Sequence, residues 1–281
     1  TPITTTTPPP APGDLTFWGI YFAGKGLNSF DPTDVSFTVK NLSDFPTGTY
    51  WPVSDAVDIV LYSDQIPDIS AFKSLQNVRR LFLFSNPLTN VDGLSSLKSV
   101  EWFLHLHYNQ LTNVNGLSSL QSVGYDLRLN NNPLTNVNGL SNLKSVGGIF
   151  YLNGNQLTNV DGLSNLTSVG KLDLNDNQLT NVNGLSNLTS VSGWIKLQFN
   201  PLTDISGLAN ITSLGSYILF DYKRADGTVL VTQKMPASAW LCKPAQSNKI
   251  LVDVYPGSGT FYVNRQTAAC DCPDANADNV C

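Results

Sequence analysis

His105 and His107 are the only histidines in the chain, and they stand two residues apart. In an extended segment that spacing puts both imidazoles on one face, where a pair could ligate a metal or exchange protons. A metal site normally needs three or more ligands, and the nearest acid on the same face is Asp126, one repeat further on. The four cysteines, Cys242, Cys270, Cys272 and Cys281, all follow the repetitive part of the chain. Cys270 and Cys272 lack the two-residue gap of zinc sites, and no histidine lies near them. An even count in a small terminal region reads instead as disulfides in an oxidising compartment, with Cys242 joined to Cys270 or Cys272.

Catalytic chemistry finds no other foothold. The sequence holds no GxSxG, HExxH, GxxxxGK[ST] or GxGxxG, and no pair of carboxylates converges on a predictable cleft. No enzyme is expected, and no metal. Charged residues make up 13% of the chain and the net charge is −5, which argues against nucleic acid, since phosphate binding needs clustered Lys and Arg. No apolar run approaches the roughly 20 residues of a membrane span.

Recognition chemistry is better supplied. Phe82, Phe84, Phe103, His105, His107, Tyr108, Arg128 and Tyr151 recur at intervals that place them on one surface, with Arg80, Lys171, Asp173, Trp194, Lys196 and Phe199 extending it. Aromatic residues and arginine are the types enriched at binding hot spots. A contiguous exposed patch of them reads as a partner-binding face for a protein or a glycan.

These residues are positioned by a repeat. From Asn155, apolar residues fall at offsets 2, 5, 8, 11, 14, 17 and 19, and Asn177 closes the unit at 22. Neither a 3.6-residue nor a 2-residue period fits that pattern. A leucine-rich-repeat coil does: a short strand, a buried asparagine that turns the chain, and an irregular return. The turn asparagines are Asn86, Asn109, Asn132, Asn155, Asn177 and Asn200, separated by 23, 23, 23, 22 and 23 residues. Each is expected to satisfy backbone groups of the adjacent coil, forming a structural ladder. Glycines such as Gly139, seven residues after each asparagine, suit a positive φ or a close backbone approach. The Leu residues of each strand point inward, so the residues between them line the concave sheet.

The motif LxLxxNxLTNVxGLSxLxSV resembles the short bacterial leucine-rich repeats of the internalin type over roughly residues 58–220. The resemblance implies a solenoid with a curved parallel β-sheet and a mostly irregular convex side, in a cell-surface or secreted protein. Most units here depart from a uniform 22 by one extra residue before the strand, as at Gly124-Tyr125-Asp126.

Four regions follow: a Thr/Pro-rich tail or linker over 1–13, a β-rich N-terminal cap over 14–57, the repeat array over 58–215, and a β-rich, Cys-containing cap over 216–281. In the tail, Thr4, Thr5, Thr6 and Thr7 are β-branched and can add as a strand to a neighbour's sheet edge, giving self-assembly between copies. In the last region Ala225-Asp226-Gly227 predicts one hairpin, between 218–224 and 229–233. Pro256-Gly257-Ser258-Gly259 predicts another, between 249–254 and 260–263. Asp274, Asn276 and Asp278 resemble the start of a calcium loop, but Asn279 stands where glycine is usual and the later ligands do not follow, so no cofactor is expected. Sequons occur at Asn41, Asn165, Asn187 and Asn210.

The composite expectation is an extracellular, non-catalytic protein for adhesion or assembly, binding through the concave aromatic face. One alternative is a filament or surface-layer subunit joined through its tail and caps. A third reading rests on the column Thr89, Thr112, Thr135, Thr158, Thr180 and Thr203, which, with the asparagines beside it, resembles the ice-binding faces of some antifreeze proteins.

Overall fold

The computed structural model describes residues 57–61, 66–73 and 75–223, together with short strands elsewhere in the chain. Residues 1–13, the sequon at Asn41, the side chains of all four cysteines and the segment Asp274 to Asp278 lie outside the described residues.

The leucine-rich-repeat solenoid follows from the repeat. Strands β1 (Val35–Thr38), β2 (Val57–Val60), β3 (Asn77–Phe82) and β4 (Ser99–His105) pair in parallel, each one coil after the last. The next coils carry β5 (Ser122–Val123) and β6 (Leu127–Arg128), β7 (Ser145–Tyr151), β8 (Ser168–Asp173), β9 (Ser190–Val191) and β10 (Ile195–Lys196), β11 (Ser213–Leu214), and β12 (Ile218–Lys223). The extra residue noted in the sequence produces two tiers. Val78 pairs with Val100, but Arg80 pairs with Phe103, so β4 holds one residue more than β3 between the tiers. The register shifts back where Ile149 of β7 pairs with Lys171 of β8.

Short 3₁₀ turns such as Asn115–Leu117 and Asn138–Leu140 make the return path. Each is set by the Asn or Asp two residues before it. The N–H groups of Asn115, Asn138 and Asn183 donate to Asn113, Asn136 and Asn181 Oδ1 at 3.1, 3.2 and 3.1 Å. The asparagine beside each column threonine therefore makes an Asx turn that leads into the 3₁₀ turn.

The core is one continuous cluster in which the repeat leucines and valines are almost wholly buried. No single coil encloses it; each buries its apolar face against its neighbours. Gly139 is required by that stacking, since a Cβ on it would stand 1.9 Å from the Val114 carbonyl oxygen of the preceding coil.

The asparagine ladder has the expected role. Asn132 Nδ2 donates to the carbonyls of Leu129 in its own coil, at 3.0 Å, and of Leu106 in the coil before, at 3.1 Å. Its Oδ1 accepts from the Leu111 N–H at 3.1 Å. The same pattern holds at Asn86, Asn109, Asn155, Asn177 and Asn200. Every such asparagine is buried, so it answers backbone groups that have no water to turn to.

After the array comes β12, the first arm of the first expected hairpin. Its edge pairs in parallel with β14 (Ile250–Val254), while residues 229–233 lie outside the described residues. The second hairpin forms: β14 pairs antiparallel with β15 (Tyr262–Asn264). A separate parallel pair joins β13 (Met235–Pro236) to β16 (Cys270–Asp271). Among the described residues no helix is long and apolar enough to cross a membrane.

Candidate functional site

Alternation along β3 and β4 sends Leu81, Leu83, Leu104 and Leu106 inward and turns Phe82, Phe84, His105 and His107 onto the concave face. Parallel pairing sets Phe82 beside His105, and the rings stack at 4.5 Å with 17° between their planes. Phe84 and His107 repeat the arrangement at 4.8 Å and 15°. Ring faces separated by about one strand spacing must stand upright on the sheet. In each pair the two rings turn a face to one another.

The patch extends beyond the expected set. Phe103 packs on Phe82 at 6.2 Å and on Tyr125 at 5.5 Å, and Tyr108 meets His107 edge-on at 5.3 Å. Trp102 lies 6.5 Å from Tyr125 and carries the guanidinium groups of Arg79 and Arg80 at 5.4 and 5.5 Å. Tyr125 is 55% exposed and Tyr108 58%. Tyr125 and Trp102 were not singled out by alternation because the extra residue shifts them out of the strand's regular phase. That insertion is the only sequence signal that could have found them. The expected residues Phe82, Phe84, Phe103, His105, His107 and Tyr108 are thus brought together, with Arg128 and Tyr151 one and two coils further on.

Arg128 is tied in place. Its guanidinium donates to Asp126 Oδ2 at 3.0 Å and lies 5.1 Å from the Tyr151 ring centroid. Asp126 Oδ1 accepts the Ile149 N–H at 2.8 Å. Burial, with the Arg128 charge adding to it, lowers His105 to about 3 and His107 to about 4. Both imidazoles are neutral at physiological pH. His105 Nε2 and His107 Nδ1 are buried and have no hydrogen-bond partner among the described residues. Burial also raises Tyr151 and Asp173. Asp173, expected to line the face, is 9% exposed, and its Oδ1 accepts the Asn175 N–H.

Among the described residues no three His, Cys, Asp or Glu side chains gather around one point. The surface is built to present rings and a few fixed polar atoms, which is the composition of a recognition face.

One more conformation marks the rim of this face. The residue before each ladder asparagine is left-handed: Ser85, Tyr108, Asn131, Gly154, Asp176 and Phe199 have φ between 54° and 67°. The coil imposes it, because the N–H at this position must reach the next coil, as Tyr108 does to the Asn130 carbonyl at 3.2 Å. Glycine, asparagine and aspartate accept it readily, whereas tyrosine and phenylalanine do not.

The convex side is an array of committed groups. Asn142, Asn165, Asn187 and Asn210 each donate Nδ2 to a serine carbonyl of the preceding coil at 2.7 Å. Three of them are sequon asparagines, so the sequon spells out a second structural ladder. In the threonine column, the Thr203 hydroxyl donates to the Thr180 carbonyl, and Asn113, Asn136 and Asn181 point their amides at their threonines.

No protein-family model matches the chain, and no curated protein matches it. Among solved structures it is similar to internalin C2 of Listeria monocytogenes at 24% identity, over 76% of this chain and 100% of that one, with a TM-score of 0.47.

Proposed function

We propose that this chain is a non-catalytic recognition module that binds a protein partner through the aromatic patch on its concave face, serving adhesion or assembly outside the cell. The observation that carries this reading is the pair of parallel stacks, Phe82 on His105 and Phe84 on His107. Neutral imidazoles among phenyl rings, edged by the exposed Tyr108 and Tyr125, make an apolar surface with polar tips, the mixture that protein interfaces use.

The same stacks favour protein over glycan. A sugar ring docks on an exposed aromatic face, where its C–H groups meet the negative π surface. In each stack one face of each ring is taken by its neighbour, which leaves less open π surface for a sugar.

The test compares the wild type with a Phe84→Ala/His107→Ala/Tyr151→Ala variant for binding to intact cells and to purified matrix proteins. Lost binding with an unchanged unfolding midpoint supports the reading; retained binding sinks it. Light scattering on a version lacking residues 1–13 separates assembly through the tail from recognition by the patch.

A further inference from the structure

Two coils beyond the aromatic patch, the concave face changes character. Lys171 of β8 lies beside Trp194, and Lys196 of β10 pairs in register with Asp173. Lys171 Nζ is 5.9 Å and Lys196 Nζ 4.6 Å from the centroid of the single Trp194 ring. Two ammonium groups are thus held around one indole on adjacent coils. Neither forms a salt bridge among the described residues. Asp173 feels the Lys196 charge, but it is buried and hydrogen-bonded to its own coil. Phe199, left-handed and 46% exposed, stands at the rim of the same coil as Trp194.

We propose that Lys171, Lys196 and Trp194 form a receptor for a carboxylate of a partner's Glu or Asp side chain, with Phe199 taking an apolar neighbour of that residue. This inference rests on the concave face being a recognition surface. Both ammonium groups stand within about 6 Å of the same ring centroid, and the proposed carboxylate accepts from both. The surroundings select a single acidic side chain over a polyanion. Asp173 of β8 and Asp221 of β12 lie on the two flanking strands, Asp176 lies in the turn after β8, and the chain carries a net charge of −5. A nucleic acid or sulfated polymer needs a continuous cationic track, which these carboxylates interrupt.

The test follows the indole N–H of Trp194 and the backbone N–H groups of Lys171 and Lys196 by NMR. The probes are the blocked peptide acetyl-Leu-Glu-Glu-Leu-amide, its Leu-Gln-Gln-Leu analogue and a heparin hexasaccharide. The glutamate peptide is expected to shift these signals saturably and the glutamine analogue to leave them in place. Lys171→Gln/Lys196→Gln should weaken the peptide at least about tenfold, with loss of the salt dependence, and Lys171→Arg/Lys196→Arg should keep it. The Phe84→Ala/His107→Ala variant should bind it as the wild type does, which separates this site from the first patch. Absent shifts, equal binding of the glutamine analogue, indifference to the Lys→Gln pair, or loss in the Phe84→Ala/His107→Ala variant would each overturn the proposal. Lysine-dependent binding of heparin alone would overturn the peptide assignment.

Discussion

The imidazole of His107 lies 15° from parallel to the phenyl ring of Phe84, 4.8 Å away, and burial in that position, with the Arg128 charge adding to it, keeps the imidazole neutral. A charged imidazole in this position would lose hydration and lie near the Arg128 guanidinium. The neutral ring costs neither.

Stability should therefore depend on pH with a defined sign. The folded pKa values of about 3 for His105 and about 4 for His107 lie below the ordinary 6.5, so the unfolded chain takes up protons first as pH falls. The stabilisation is fully present above about pH 6.5 and is lost as pH falls through that range toward 4 and 3. NMR titration should show both imidazoles unchanged between pH 8 and 5. Denaturation midpoints of the wild type should drop more over the acid range than those of His105→Phe/His107→Phe. Imidazoles that titrate near 6.5 would refute the burial assigned to them.

Asn132→Ala should destabilise the array by about 2–4 kcal/mol, because it leaves buried groups of two coils without partners. Asn142→Ala on the convex side removes an exposed bond and should cost about 1 kcal/mol or less. Urea denaturation of both variants checks the difference, and equal losses would deny the ladder its role.

Tyr108→Gly should raise stability by about 0.5–1 kcal/mol, the left-handed penalty of tyrosine less the chain entropy of glycine. The same change should weaken partner binding. A variant that is both less stable and unimpaired in binding would show that Tyr108 serves the fold instead.

Gly139→Ala should cost about 1–3 kcal/mol, since its Cβ meets a backbone carbonyl that cannot move without parting two coils. Thermal unfolding measures it, and a neutral result would mean that the coils stack less closely than 1.9 Å implies.

The coil was legible in the sequence because burial repeats. Leu157, Val160, Leu163, Leu166 and Val169 each face the interior, and only a coil puts residues at those offsets on one side. Asn155 was legible as a turn for the same reason. The patch was legible as a set, because Phe82, Phe84, His105 and His107 sit between inward leucines. Its ring geometry was not, since alternation assigns a face but says nothing of whether two rings stack or tilt. Trp102 and Tyr125 escaped because one inserted residue broke the phase. The tight position at Gly139 was open between a positive φ and a close approach; close approach is the answer, and positive φ belongs instead to the residue before each asparagine. The asparagines beside the threonine column look like a surface row in the sequence, whereas each accepts the N–H two residues on and so turns the chain into its 3₁₀ segment.

The ladder asparagines all reach backward, from their own coil to the one before it. A coil is completed only by its successor. Unravelling from the C-terminal side strips each newly terminal coil of the amide that closed it, so one loss prepares the next. Unravelling from the N-terminal side leaves every remaining coil with its closing amide intact. It also leaves the first remaining asparagine without the carbonyl and the N–H it met in the lost coil. The solenoid is thus polar: its C-terminal end bares backbone groups and its N-terminal end bares a side-chain amide.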